Sequence, residues 1–345
     1  MKRALVVAAA LVAGCSSSDP QASQPAEPAP TATPAPAVDA KYTALFRPLG
    51  RQAPSKEHPF TDAKADLGRM LYFDRRLSST GEVSCNDCHL LDQFGVDGKP
   101  TSTGINGQVG GRNAPTVYNA AFHATQFWDG REPDVEAQAK GPILNPIEMG
   151  MPDAASVEAK LRGIPGYVTA FEAAFPGAGV TYDGLGEAIG AFERRLVTPG
   201  PFDDFLRGDA SALTEAQQAG LDLFIATGCV ACHGGALLGG TTFQKLGAVK
   251  PYETADVGRK AVTGADADAY VFKVPSLRNI ARTGPWLHDG SITDLGAMVR
   301  LMATHQLGRE LDEAAVASIV EFLGALTGEP DAAYIAQPAL PPDAG

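Results

Sequence analysis

Two motifs of identical pattern, Cys-x-x-Cys-His, carry the clearest chemistry in this sequence. The first is formed by Cys85, Cys88 and His89, and the second by Cys229, Cys232 and His233. Two thiols at this spacing, followed directly by a histidine, are typical of a c-type haem, whose iron the histidine ligates. A redox dithiol does not need that histidine, and a zinc site needs two further ligands. The sequence therefore predicts two covalently bound haem c groups.

The N-terminus predicts export. Residues 1–15 have a basic start and an apolar run too short to span a bilayer, and they end in Cys15. This pattern is similar to a bacterial lipoprotein signal, in which the cysteine is lipidated and anchors the mature chain. The alternative is an ordinary signal that is cleaved nearby. Residues 16–40 are rich in Pro, Ala and Ser and predict a flexible linker.

Length and charge limit the organisation and the partners of the chain after the linker. The chain has 345 residues and a net charge of -12. Such an acidic chain without basic clusters argues against nucleic acid as a partner. The remaining length suits two domains, predicted at 41–205 and 206–345, with one haem motif in each.

Helices must position both motifs. Apolar residues at helical spacing precede each motif, over 65–73 and 219–224, with Gly68 and Gly220 placed to let a second helix approach closely. Helical patterns over 185–196 and 311–326 close the two halves. No series of alternating strands competes. The expected fold is mainly α, with two cytochrome c-like haem domains and long haem-wrapping loops.

Length and motifs together resemble the bacterial di-haem cytochrome c peroxidases and the related methylamine-dehydrogenase-maturing enzymes. The resemblance covers nearly all of the chain after the linker. Besides the two haem motifs, it is carried by Leu77-Ser78, Arg112-Asn113-Ala114-Pro115-Thr116, Gln126-Phe127-Trp128-Asp129-Gly130-Arg131, Gly141-Pro142-Ile143, Pro275-Ser276-Leu277-Arg278-Asn279, His288-Asp289-Gly290-Ser291, Met302-Ala303 and Gln306-Leu307-Gly308.

The second haem is expected to have a methionine opposite its histidine, because a thioether raises the potential of an electron-transfer haem. Met298 and Met302 both follow His233 at helical spacing. The resemblance implies Met302, while residue type and spacing alone leave Met298 open. His305 is a weaker candidate, one turn further on.

The first haem is expected to be open on one face. Many family members carry a capping histidine sixteen residues after the proximal one, and that position here is Ile105. His123 is the next histidine after His89, and we expect it to be structural rather than ligating. The maturation enzymes also lack the cap, so this feature keeps them as an alternative.

Cleavage of bound peroxide needs a group that accepts and returns a proton, and a carboxylate is the natural candidate here. Glu132, Asp134, Glu136 and Glu148 all follow Trp128 in sequence. The resemblance implies Glu136, eight residues after Trp128, as the catalytic group. It further implies Gln126 as the partner that orients this group, and Trp128 as the electron route between haems.

The resemblance also implies a Ca²⁺ ion held by Asn113, Thr283 and Pro285, an oxygen-only set that suits a hard cation. The predicted activity is reduction of hydrogen peroxide with electrons from a small redox protein, a cytochrome c or a cupredoxin. The protein is expected in the periplasm, anchored to a membrane only by its lipid, and similar enzymes are often homodimers. The alternatives are an oxidase that modifies aromatic side chains of a partner protein and a non-enzymatic di-haem electron carrier.

Overall fold

The computed structural model describes residues 38–343. The predicted signal, the lipidated Cys15 and the linker up to residue 37 lie outside the described residues. Asp39 caps the first helix, so regular structure begins at the predicted end of the linker. In residues 38–343, none of the helices has the length and apolar character needed to cross a bilayer.

The described chain is mainly helical, as predicted. Its α-helices are α1 Ala40–Leu45, α2 Asp62–Phe73, α3 Cys85–Cys88, α4 Val135–Leu144, α5 Ala154–Arg162, α6 Pro165–Ala174, α7 Tyr182–Glu193, α8 Pro201–Leu206, α9 Glu215–Thr227, α10 Lys260–Thr263, α11 Leu295–Leu307, α12 Glu313–Gly324 and α13 Ala332–Ile335. Two short strands, β1 Phe243–Lys245 and β2 Val271–Lys273, pair antiparallel. Long irregular segments with 3₁₀ turns come after both haem motifs; that they wrap haems stays a prediction.

Each half is built on a pair of closely packed helices. In the first half α2 lies on α7, and a Cβ at Gly68 would overlap the backbone of Ala188. In the second half α9 lies on α12, and a Cβ at Gly220 would overlap the backbone carbonyl of Ser318. Glycine is therefore required at both crossings. This confirms the predicted close approach and the two closing helices.

Each end of the described chain packs in the core of the opposite half. Tyr42 and Phe46, near the N-terminus, are buried in the second core, and the Tyr42 hydroxyl donates to Asp222 at 2.8 Å. At the other end, Tyr334 packs on the first core and its hydroxyl donates to the carbonyl of Phe192 at 2.9 Å. Helix α8 also packs in the second core. Each core therefore contains residues from both sides of position 205, and the domain boundaries 41–205 and 206–345 stay a prediction.

A structural repeat relates the segments 113–144 and 273–304 of the two halves at an offset of 160 positions. Asn119 and Asn279 both adopt a left-handed backbone, with φ of 62° and 60°, and both begin a 3₁₀ turn. Asp134 and Asp294 then cap the N-termini of α4 and α11 with their carboxylates. Helices α4 and α11 are therefore equivalent elements of the two halves.

The repeated segments also bind each other reciprocally. The N–H of Asn113 donates to the carbonyl of His288, and the N–H of Lys273 donates to the carbonyl of Trp128, both at 2.8 Å. In the repeat, Asn113 is equivalent to Lys273 and Trp128 to His288. The two halves therefore meet through a pair of matching backbone contacts.

Candidate active site

The second haem motif begins directly at the end of α9. Gly228 ends that helix with φ of 98°, a left-handed turn, and Cys229 begins a 3₁₀ turn. The Nδ1 atom of His233 lies 2.8 Å from the carbonyl oxygen of Leu238. A proton on Nδ1 satisfies that carbonyl and leaves Nε2 as the free lone pair. Histidines that ligate metals are commonly oriented in this way.

A mostly apolar cavity adjoins this motif. Its lining includes Cys229, Cys232 and His233 together with Met298 and Met302 from α11. Both methionines reach the cavity, so the structure leaves the choice of axial ligand open and Met302 stays a prediction.

His305 does not line the cavity. Its Nδ1 lies 2.9 Å and 3.1 Å from the carbonyl oxygens of Lys250 and Pro251. These contacts occupy Nδ1, and His305 stays the weaker candidate ligand.

The first haem motif is held by a capping network. The carboxylate of Asp87 accepts bonds from the N–H and hydroxyl of Ser84, at 2.8 Å and 2.7 Å, and forms an ion pair with Arg75. The hydroxyl of Tyr72 donates to the carbonyl of His89 at 2.8 Å. The Nδ1 atom of His89 is buried without a hydrogen-bond partner. These contacts hold the backbone of the short helix that carries both thiols and the histidine.

The donor set fits a haem better than a zinc ion or a dithiol. Within residues 38–343, the four cysteines of the motifs form no disulfide, so both pairs are available for covalent attachment of a haem. Within the described chain, neither motif gathers further ligands for zinc. The cluster that is seen instead is formed by the exposed Glu57 with the half-buried His58 and Asp134, away from both motifs in sequence.

The first haem position lacks a second axial ligand at both places where one is expected. Ile105 is 5% exposed and occupies the position of the capping histidine. Pro142, inside α4, is the repeat equivalent of Met302 in α11. Neither isoleucine nor proline offers a side-chain ligand atom. The asymmetry between the halves agrees with the expected open face.

Glu136 is engaged in a buried ion pair. Its two carboxylate oxygens accept bonds from Nε and Nη2 of Arg194, at 2.6 Å and 2.8 Å, and the pair is almost fully buried. Gly190 on α7 leaves the space that this carboxylate fills. The side chain of Gln126 donates to the carbonyl of Ala120 at 2.9 Å and makes no contact with Glu136. The expected Gln126–Glu136 pair is therefore corrected: α4 directs Glu136 to α7, where arginine binds it.

Two of the other candidate acids, Asp134 and Glu132, make contacts away from the first haem motif. Asp134 caps α4 with one carboxylate oxygen, and its other oxygen lies 3.5 Å from Nε2 of His58. Glu132 pairs through its backbone with Gln126. Neither of these acids is placed beside the cysteines of the first motif.

Glu148 lies beside the first haem motif. Its backbone carbonyl accepts the N–H of Ile105 at 2.9 Å, so it adjoins the segment where a cap would lie. Burial raises the pKa of its carboxyl group, against the opposing effects of Arg131 and Asn145. The pKa of Cys88 is raised first by burial and further by acids that include Glu148. Of the four acids considered, Glu148 has the position and the pKa of a proton carrier.

Trp128 joins the two halves. Its Nε1 donates to the carbonyl of Asn113 at 2.9 Å, and its indole lines the cavity of the second motif. Pro115 lines that cavity too. Burial lowers the pKa of the His89 imidazole, and the backbone of Pro115 lies close enough to oppose that effect. This segment therefore lies between the two motifs, as an inter-haem aromatic requires.

The residues expected to hold calcium, Asn113, Thr283 and Pro285, all line one large cavity. The Nδ2 atom of Asn113 donates to the carbonyls of Lys99 and Pro100 at 3.1 Å and 3.2 Å. The calcium assignment stays a prediction.

His123 contacts a lysine, and its structural role stays a prediction. Its side chain is half-buried, and its Nδ1 lies 2.8 Å from Nζ of Lys273. Lys273, 150 positions later, was not singled out from the sequence. The signal that marks it is the repeat, since Lys273-Val-Pro-Ser matches Asn113-Ala-Pro-Thr.

Comparison with known proteins identifies relatives over most of the chain. A family model described as di-haem cytochrome c peroxidase matches residues 62–211. The chain is 44% identical to a cytochrome c551 peroxidase of Pseudomonas aeruginosa, covering 86% of this chain and 89% of that protein. It is 46% identical to a cytochrome c551 peroxidase of Nitrosomonas europaea, with coverages of 81% and 83%. A crystal structure of a MauG-like protein associated with microbial copper homeostasis superposes with a TM-score of 0.73 at 29% identity, covering 84% of this chain and 95% of that one.

Proposed function

This chain belongs to the di-haem cytochrome c peroxidase family, and from that premise we propose that it reduces hydrogen peroxide to water at its first haem with electrons that enter through its second. Its identity to cytochrome c peroxidases over most of its length makes it an enzyme of that kind, with two haem c groups. When bound, the haems supply the redox chemistry, and the protein supplies binding, orientation and proton transfer.

The observation that carries the proposal is the difference between the two axial positions. The second motif shares its cavity with two methionines, whereas the first has Ile105 and Pro142 at its candidate positions. A peroxide binds only where one axial position is free. The division of work between the two halves rests on this difference.

Proton transfer is assigned to Glu148. A half-buried carboxyl group whose pKa burial has raised takes up and releases a proton more readily near neutral pH than an ordinary glutamate does. Its backbone bond to Ile105, the residue at the position of the missing cap, supports this assignment. Glu136 is left out of this step because Arg194 holds its charge.

Electron transfer is assigned to the segment around Trp128. The indole lines the cavity of the second motif, and the backbone of Pro115, in the same segment, lies near the imidazole of His89. Two backbone contacts between the halves hold this segment in place. An aromatic ring fixed there offers a short route between the two haems.

The setting of the reaction is part of the proposal. The N-terminal signal pattern supports a periplasmic location and lipid attachment at Cys15. The family membership supports a small electron donor, a cytochrome c or a cupredoxin. A Ca²⁺ ion at Asn113, Thr283 and Pro285 is proposed because these residues line one cavity.

The rival oxidase is less well supported. The MauG-like neighbour shows that such proteins share the fold. The maturation enzymes commonly have a tyrosine as distal ligand of the second haem. In the described chain, no tyrosine lines the cavity of His233, while Met298 and Met302 do.

The resting, fully oxidised protein is expected to contain one high-spin haem and to reduce peroxide without prior reduction. The reason is that the first haem position has no side chain available as a cap. Electron paramagnetic resonance and a steady-state peroxide assay with several reduced donors measure both properties. Two low-spin haems without activity would support an electron carrier, and oxidation of a protein partner without donor turnover would support the rival oxidase.

Met302→His is expected to lower the potential of the second haem and to slow donor-driven turnover, with peroxide binding unchanged. A thioether favours ferrous iron more than an imidazole does, and axial ligands span roughly 0.8 V. Redox titration measures the shift, with Met298→His as the matched control one turn away on α11. A shift in Met298→His alone would assign the ligand to Met298.

A further inference from the structure

Lys273 is a buried ammonium group without a carboxylate partner. The residue is 8% exposed, and its Nζ donates to the carbonyl of Thr125 and to Nδ1 of His123, both at 2.8 Å. Burial lowers the pKa of this lysine to about 7, and the charge of Asp129 opposes that effect only from a distance. Within residues 38–343, no acidic side chain forms an ion pair with it. A buried cation is energetically costly unless an anion pairs with it, and Lys273 has no such anion among these residues.

Two polar side chains next to Lys273, those of His123 and Thr125, also contain a buried atom without a hydrogen-bond partner. Because Nδ1 of His123 accepts from the ammonium, the proton of the neutral imidazole lies on Nε2, and burial followed by the Lys273 charge keeps the ring neutral by lowering its pKa. The Nε2 atom is buried without a hydrogen-bond partner, as is Oγ1 of Thr125. Buried polar atoms are nearly always paired. The Lys273 ammonium uses two of its three donors on His123 and Thr125, so its third donor is free to bind an anion. Nε2 of His123 lies on the far side of the imidazole from Lys273 and needs a different partner.

This point adjoins the second haem position. Lys273 and His123 line the same cavity as Cys229, Cys232 and His233. A haem attached to those cysteines carries two propionate carboxylates. Each is a negatively charged hydrogen-bond acceptor, the kind of partner that the lysine ammonium is missing. An ammonium–carboxylate contact is a charge-assisted bond, stronger than a neutral one.

We propose that Lys273, oriented by His123 and Thr125, anchors a propionate carboxylate of the second haem, and that the lysine charge raises the potential of that haem. The inference rests on the proposed function, because it takes the cavity at His233 as the electron-transfer haem site. A positive charge near a haem favours its reduced form. Lys273 is thus a positioning residue for the cofactor.

The same residue also connects the anchored group to the electron route. The backbone N–H of Lys273 donates to the carbonyl of Trp128 at 2.8 Å, and the residue ends strand β2. Strand β2 and the Trp128 segment therefore hold the propionate and the indole in one fixed relation. Loss of the ammonium changes the charge at this point without removing the backbone bond.

The test is the potential of the second haem in three variants. Lys273→Met is expected to lower the equilibrium constant for reduction of that haem about tenfold, or about 59 mV for one electron. Lys273→Arg, which keeps the charge, is expected to retain the wild-type potential. Lys245→Met removes the same charge from the exposed face of the paired strand β1, and solvent screening is expected to leave the potential unchanged.

Several outcomes would overturn the inference. One is an unchanged potential in Lys273→Met with both haems attached. Another is a wild-type potential that shifts when chloride is replaced by a bulkier anion at constant ionic strength, since a free anion would then fill the site. If Lys273→Met loses haem, Lys273→Gln provides the same charge comparison. A wild type without a low-spin second haem would instead refute the proposed function.

Discussion

Glu148→Gln is expected to lower peroxide turnover by about 10²–10⁴-fold while both haems remain attached. Glutamine keeps the volume and some hydrogen bonding of glutamate but cannot accept and return a proton. Peroxide binding is expected to suffer less than turnover, because the free axial position does not depend on this side chain. Steady-state and single-turnover peroxide consumption, with haem content measured in parallel, separate the two effects.

Glu136→Gln is the matched control, with the same chemical change at a carboxylate twelve positions earlier. It weakens the buried pair with Arg194 and is expected to reduce stability. Turnover per folded, haem-loaded molecule is expected to stay near the wild-type value. Normal turnover in Glu148→Gln combined with a large loss in Glu136→Gln would return the catalytic role to Glu136.

Arg278→Met is expected to destabilise the protein by about 3–5 kcal/mol, the typical cost of removing one partner of a buried ion pair. The guanidinium binds both carboxylate oxygens of Asp203, at 2.7 Å and 2.9 Å, and both side chains are almost completely buried. Asp203 also accepts the N–H groups of Leu49 and Gly200. Without arginine, its charge stays buried with only these backbone donors. Equilibrium unfolding in denaturant measures the change.

Arg300→Met provides the comparison at an exposed pair. Arg300 binds Glu313, whose side chain is 91% exposed, so the expected loss is about 0–1 kcal/mol. Equal losses of stability in Arg278→Met and Arg300→Met would show that burial does not increase the contribution of Arg278 to stability. A double variant, Arg278→Met with Asp203→Leu, is expected to recover part of the lost stability because no charge remains buried.

The sequence predicts the features that depend on local spacing. The thiols and histidine of each motif lie within five residues, and the helices before them have an apolar period of one turn. Gly68 and Gly220 mark close helix contacts because no other residue fits at such a crossing. These patterns are sufficient for a mainly helical protein with two haem motifs.

Spacing does not determine which neighbour a side chain meets. Glu136 lies in the first turn of α4, near Trp128 in sequence, yet its partner is Arg194, 58 positions away. The direction in which a helix faces depends on the packing of α7, which local patterns do not specify. Glu148 is found only when the burial of its carboxyl group and its contact with Ile105 are known.

The exchange of chain ends has a consequence for biosynthesis. The polypeptide emerges N-terminus first, but Tyr42 and Phe46 reach their core only after residues up to Leu326 have been made. The first core in turn lacks Tyr334 until the last segment is available. Both cores are therefore expected to close only after the C-terminal segments have been made, and the thiols of both motifs are expected to stay accessible for haem attachment until then. Premature termination near the C-terminus is then expected to leave the first haem domain incomplete as well as the second.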